Sequence, residues 1–151
     1  PTLAEPSDAP LADQLKAVAS FKKTALMVLG LAMQRYGQKL TDEQEVLSCA
    51  ADILIDTYAA ESVVLRGVQS ATDAPASATL QTDATCVYVN DAAARIETSA
   101  RTALAAMAEG DTLRMQLAGL RRLLKITPVN TVEMRRRLAD AVVERAGYVF
   151  G

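Results

Sequence analysis

The chain has 151 residues, is half apolar with only 4% aromatic residues, and carries a net charge of −2. That length suits one domain, able to bury enough apolar surface to fold without covalent staples. His is absent, which removes the usual neutral-pH proton shuttle and the commonest metal ligand; the small net charge supplies no global pull toward nucleic acid.

Ala and Leu supply much of the apolar mass, and both lose little entropy in a helix. Residues 1–10 start at Pro1 without Met and hold three of the five prolines. They read as an interdomain linker of an excised or processed chain, without the charged head and apolar stretch of a signal peptide. Residues 11–151 then form one domain. The first helix is expected from Leu11 to Tyr36, with Leu15, Val18, Leu26, Leu29, Met33 and Tyr36 at helical spacing. Its apolar run Ala25–Met33 is too short to span a bilayer. Gly30 points to a close helix crossing, and Gly37 stands where a C-terminal cap belongs.

A second helix is expected from Thr41, with Thr41 and Gln44 as a capping box. Its inward stripe is read as Leu47, Leu54, Tyr58 and Leu65, widened by Val46, Ala50, Ile53 and Val64. The helix should end at Arg66–Gly67, a cation followed by a glycine. Residues 67–82, rich in Ser, Thr, Ala and Asp, are expected to form a long mobile loop. A third helix follows from Asp83 to Ala108, with Val89, Ala93, Ile96, Ala100, Ala103, Leu104 and Met107 inward. Glu109–Gly110–Asp111 breaks it. The next helix is short, with Leu113, Leu117, Leu120 and Leu124 on one face, and Thr127–Pro128 ends it. Asn130 and Glu133 cap a last helix that carries Met134, Leu138, Ala141 and Val142 inward and stops at Gly147. No segment alternates like a strand and none repeats. The expected fold is all-α: an antiparallel bundle of four main helices plus one short helix.

Motifs for chemistry are missing. The seven glycines are scattered singly, so no phosphate loop exists, and without His there is no Ser–His or Cys–His pair. Cys49 and Cys86 read as two buried apolar side chains in a reducing compartment, with a redox pair as the alternative. Glu61 lies on the apolar stripe, and a buried carboxylate must be paired or protonated. The preferred reading is a structural ion pair with Arg101 or Arg136; a catalytic or ligand-binding acid is the other. Residues 111–151 hold eight basic and four acidic side chains, against eight and fourteen in residues 1–110. The basic set is Arg114, Arg121, Arg122, Lys125, Arg135, Arg136 and Arg137. Three roles compete for it: a solvated face paired with the acidic half, a docking face, or capture of anionic lipid. The first is preferred, and nucleic acid ranks below all three, since no aromatics stand beside the Arg run to stack on bases.

The order of several runs carries a family resemblance. Glu43–Gln44–Glu45–Val46–Leu47, Ala51–Asp52–Ile53, Tyr58–Ala59–Ala60–Glu61–Ser62 and Leu65–Arg66 resemble the C-terminal extension of the very-long-chain type of acyl-CoA dehydrogenase. Phe21–Lys22–Lys23 and Met33–Gln34–Arg35–Tyr36–Gly37 fit upstream. Downstream, Leu120–Arg121–Arg122, Thr127–Pro128, Asn130–Thr131 and Arg136–Arg137–Leu138–Ala139–Asp140–Ala141 resemble the closing segment. The resemblance implies a parent enzyme whose FAD-containing core desaturates a fatty acyl-CoA. This part would hold no catalytic, cofactor or metal residue of its own. Its implied partners are the catalytic core of the same chain and a sister subunit, in a homo-oligomer. The implied place is the cytoplasm of a bacterium or the mitochondrial matrix, at most peripheral to the inner membrane. The polar, nearly uncharged stretch 67–82 is unlike a basic amphipathic anchor, so membrane attachment is not favoured. The alternative function is an independent helical adaptor with a groove for a protein partner or a membrane surface.

Overall fold

The computed structural model describes residues 9–150. The linker expected over residues 1–10 falls mostly outside them. The fold is all-α, as expected, with five helices: α1 (Ala12–Tyr36), α2 (Gln44–Asp73), α3 (Ala78–Met107), α4 (Gly110–Leu123) and α5 (Thr131–Arg145). A 3-10 turn, Gly37–Asp42, joins α1 to α2. The three long helices pack on one another, α4 lies on α1 and α3, and α5 lies on α3 alone.

The core is built from small residues. Ala17, Ala25, Ala32, Ala50, Ala60, Ala92, Ala100 and Ala103 are buried between the long helices, with Phe21, Val28, Ile53, Val64, Ile96 and Leu104 filling the spaces. Small side chains let the helix backbones approach closely. One threonine per long helix is buried in this seam, and each returns its hydroxyl to its own helix. Thr24 donates to the Ser20 carbonyl, Thr57 to Ile53 and Thr85 to Gln81, at 2.9, 2.7 and 2.8 Å. No buried hydroxyl is thereby left without an acceptor.

The inward faces of α3 and α4 match the sequence reading. Val89, Ile96, Ala100, Ala103, Leu104, Met107 and Leu120 are buried, and Ala93, Leu113, Leu117 and Leu124 pack against them. On α2 the widening residues of the reading, Val46, Ala50, Ile53 and Val64, are buried as expected, while its central row is turned outward by one residue. Val46, Ala50, Ile53, Thr57, Ala60, Val64 and Gly67 face the core, whereas Leu54, Tyr58 and Leu65 are exposed. One residue is a rotation of about 100° at 3.6 residues per turn. The same holds on α1, where Val18 is buried but Leu15, Leu26 and Met33 are exposed. Both helices carry two apolar stripes, and close packing selects the one with alanines.

The loop expected over residues 67–82 is a correction. Helix α2 continues to Asp73 and α3 starts at Ala78, leaving a tight connection at Pro75 in place of a mobile loop. Gly67 is not a cap. A Cβ there would stand 2.6 Å from Leu11 Cδ1 and 2.8 Å from Thr85 Oγ1, so glycine lets α3 and the start of α1 close over α2. Leu11 adopts a left-handed φ of 59°, a conformation that costs a non-glycine residue about 1–2 kcal/mol. Burial of its side chain over Gly67 offsets that strain. Gly30 is not a crossing among the described residues, since none of them lies within 4 Å of a Cβ built there.

Capping follows the sequence in two places and departs from it in two. Gly37 caps α1 at φ 56°, its N–H reaching the Met33 carbonyl. Asn130 Oδ1 accepts from the Glu133 N–H at 3.1 Å. The Thr41–Gln44 box does not form. Thr41 is taken into the 3-10 turn, and Glu43 precedes α2 without a side-chain cap. Arg66–Gly67 does not end α2, which runs on to Asp73; α5 ends at Arg145, with left-handed Ala146 as its cap just before Gly147.

Candidate functional site

The expected ion pair at Glu61 exists with a different partner. Lys22 Nζ of α1 stands 2.6 Å from Glu61 Oε1, with the two side chains 52% and 38% exposed. Neither Arg101 nor Arg136 is involved. With the α2 face turned outward, Glu61 sits at the rim of the α1–α2 seam, and a pair this open contributes no more than about 1 kcal/mol.

The pair lies between two rows of exposed apolar side chains. On α1, Leu15, Lys22, Leu26 and Met33 share one helix face; on α2, Leu54, Tyr58, Glu61 and Leu65 share another. The Lys22–Glu61 contact brings these two faces side by side. Leu15, Leu26, Met33, Leu54, Tyr58 and Leu65 are all exposed, whereas exposed Ile55 turns to the α3 side, beside Arg95 and Thr98. The stripe was legible in the sequence; its outward direction was not.

The seven expected basic residues separate into three sets. Arg135 and Arg137 tie α5 to α3. Arg137 binds both carboxylate oxygens of Asp83 at 2.8 Å, and Arg135 pairs with Asp91. Arg114 pairs with Asp111 on its own helix, fully in solvent. Arg121, Arg122, Lys125 and Arg136 are exposed and form no ion pair among the described residues. They do not make one continuous face, because α4 and α5 do not touch.

Sequence reasoning missed Asp83, Asp91 and Lys22, since nothing local sets these charges apart from solvated ones. It also missed Arg95, which grips Asp56 bidentately at 2.9–3.2 Å and lies 5.6 Å over the Tyr88 ring. The Asp56 hydrogen bond pushes the Arg95 pKa up, as that of Asp83 does for Arg137.

The thiols are apart. Thr85 faces Val63 and Arg95 faces Asp56, so α2 and α3 are antiparallel. Cys49 and Cys86 then stand at opposite ends of the pair, separated by roughly 20–25 Å at 1.5 Å per residue. Burial, then Asp83 and Asp13, pushes the Cys86 thiol up; burial, then Asp52, does so for Cys49. Both are free, and neither is activated as a nucleophile.

Four shallow clefts indent the surface. The most enclosed, 350 Å³, lies between α1, α3 and the α4–α5 connection, with Lys16, Asn90 and Lys125 on its wall and Cys86 in its lining. The others lie over Gln116, Arg95 and the start of α3. No aromatic ring lines any of the four. Among the described residues no group of three His, Cys, Asp or Glu side chains is placed to hold a metal ion, and no helix is long and apolar enough to cross a membrane.

Comparison with known proteins places this architecture. The family model for the acyl-CoA dehydrogenase C-terminal domain matches residues 20–122. A protein of Bacillus subtilis (strain 168) described as a probable acyl-CoA dehydrogenase is 39% identical over 145 residues, covering 95% of this chain and 24% of that protein. The crystal structure of an acyl-CoA dehydrogenase complexed with FAD, from Bacillus anthracis, superposes with a TM-score of 0.88 at 40% identity. It covers 92% of this chain and 24% of the other. The chain therefore spans about a quarter of the length of either relative.

Proposed function

Because this chain belongs to the family of acyl-CoA dehydrogenase C-terminal domains, we propose that it is the non-catalytic helical domain of an FAD-dependent enzyme that desaturates a fatty acyl-CoA. The observation that carries this reading is the superposition of nearly the whole bundle on a quarter of an FAD-bound acyl-CoA dehydrogenase. The domain's own residues do not fit the flavin. There is no glycine-rich turn opening a helix to cradle a pyrophosphate, and none of the four clefts described above is lined by a ring that could lie against an isoalloxazine. In this proposal the cofactor, the base and the acyl-CoA belong to the rest of the polypeptide. The domain packs on that body and supports a homo-oligomer, in the cytoplasm of a bacterium. The runs Tyr58–Ser62 and Arg136–Ala141 support assignment to the very-long-chain type.

The full-length polypeptide that carries this domain tests the proposal. It is expected to purify yellow, and a long-chain acyl-CoA should bleach its flavin band and drive reduction of an artificial electron acceptor. A colourless full-length protein that no acyl-CoA reduces would sink the reading.

A further inference from the structure

We infer that the α1–α2 seam, centred on the Lys22–Glu61 pair, is the face by which this domain sits on the remainder of its own polypeptide; this rests on the function proposed above. Three observations select that face and that occupant.

The first is where the exposed large apolar side chains are. Leu15, Leu26 and Met33 on α1 and Leu54, Tyr58 and Leu65 on α2 are all open to solvent, and the Lys22–Glu61 contact joins the two rows. Helix α3 exposes no large apolar residue and α4 only Met115; α5 exposes Val132, Val142 and Val143, with Tyr148 after it, but Val132 lies at the opposite end of that helix from the other three. A contiguous apolar surface of this kind marks an interface.

The second is its charge. The seam holds one cation and one anion in its middle, already bound to each other. A partner that covers them leaves no unpaired charge behind, which is the usual obstacle to burying ions. Cores of interfaces are depleted in free charge in just this way.

The third is Gly30. It lies four residues after Leu26 and three before Met33, on the seam side of α1, in an exposed helix interior. Glycine there costs about 1 kcal/mol relative to alanine, and no part of the described chain fills the space above it. A backbone approaching from outside accounts for it. The relatives supply the occupant: three quarters of each lies outside the part this chain spans. A continuous polypeptide of that length places an apolar surface beside this one at high effective concentration. A second copy of the domain would have to compete with it.

Three positions of matched exposure make the test. Leu26 is 72%, Tyr58 75% and Met115 73% exposed in the domain by itself, so Leu26→Cys, Tyr58→Cys and Met115→Cys should react equally with a maleimide unless something covers them. Labelling is followed peptide by peptide by mass spectrometry in the full-length protein, which keeps Cys49, Cys86 and other thiols out of the reading. Positions 26 and 58 are expected to label at least tenfold more slowly than position 115, with equal rates in denaturant. Equal rates in the folded protein overturn the inference. Protection that disappears on dilution to nanomolar protein assigns the seam to a second copy, and protection gained only with lipid vesicles assigns it to a membrane; each overturns it too. Flavin content of the same sample separates the two readings. A yellow, active protein with a fast-labelling seam rejects the inference alone. A colourless protein with a protected seam rejects the dehydrogenase reading and keeps the docking face.

Discussion

Arg137 holds Asp83 across the α3–α5 contact through two hydrogen bonds of 2.8 Å, and the Asp83 side chain is only 7% exposed. Helix α5 needs such a hold, because none of its residues is buried. Its attachment includes Arg137 on Asp83, Arg135 on Asp91, the Val129 N–H on Asn90 Oδ1 at 3.3 Å, partial packing of Met134, Leu138 and Ala141, and buried Val149 just after it. A helix anchored by polar contacts with little apolar burial belongs to the low-stability end of a fold.

Arg137→Ala should therefore free α5 before it unfolds the bundle. Amide exchange in residues 131–145 is expected to speed up at least about tenfold, while α1–α3 stay protected. Arg136→Ala, which removes no ion pair, should leave exchange unchanged. Adding Asp83→Asn to Arg137→Ala should restore part of the loss, because the stranded buried carboxylate is then gone. Equal exchange in the two single variants would show that apolar packing alone holds α5.

Two glycines in long helices should respond in opposite directions. Gly67→Ala places a methyl against Thr85, whose hydroxyl is fixed on the Gln81 carbonyl. Overpacking costs about 1–3 kcal/mol, more than the roughly 1 kcal/mol of helix propensity gained, so the thermal midpoint should fall. Gly30→Ala meets nothing within 4 Å and should stabilise this chain by the propensity gain of about 1 kcal/mol, raising the midpoint. Thermal unfolding followed by circular dichroism checks both signs.

That contrast also shows what a sequence can and cannot say here. Helix existence, the breaks at Gly37 and Glu109, and the inward faces of α3 and α4 follow from periodicity, because each of those helices has a single apolar stripe. Helices α1 and α2 have two, about 100° apart. Leucines made the outer stripe of α2 look like the centre of the core, whereas Val46, Ala50, Ile53 and Val64, read only as its margin, are that centre. The stretch 67–82 looked like a loop because Ser, Thr and Ala are common to loops and to tight helix contacts; only the position of Thr85 opposite Gly67 separates the two. The partner of Glu61 was misplaced for the same reason: once the stripe turns outward, the nearest cation is Lys22.

The cysteines give a pH-dependent test. Burial and neighbouring carboxylates push both thiols above the ordinary value, so the thiolate keeps forming at pH values where a free thiol, with a pKa near about 8.5, has levelled off. Labelling of Cys49 and Cys86 by a thiol reagent should be slow at pH 7 and still rising where the rate of a free cysteine peptide has levelled off, with Cys86 the slower because it is buried. A rate for Cys86 that plateaus below pH 8 would contradict the burial of α3 at this point.

The last expectation concerns Arg121, Arg122 and Lys125 at the end of α4, and it is that they do not hold the domain on lipid. Three basic residues near an anionic surface contribute about 1 kcal/mol each. A total of about 3 kcal/mol corresponds to binding weaker than about 1 mM. Firm attachment needs an apolar face on the same helix to insert. Most leucines of α4 are spent on the bundle, with Leu120 buried and Leu113, Leu117 and, just after the helix, Leu124 packed against the core, which leaves Met115 as the exposed large apolar residue of that helix. The apolar seam is on α1 and α2, and α4 makes no contact with α2, so the two features do not combine into one inserting surface. Cosedimentation with anionic vesicles at physiological salt should recover only a minor fraction of this chain, and Arg121→Glu with Arg122→Glu should change that fraction little. Strong sedimentation that the double substitution abolishes, with helicity intact, would assign the end of α4 to the membrane.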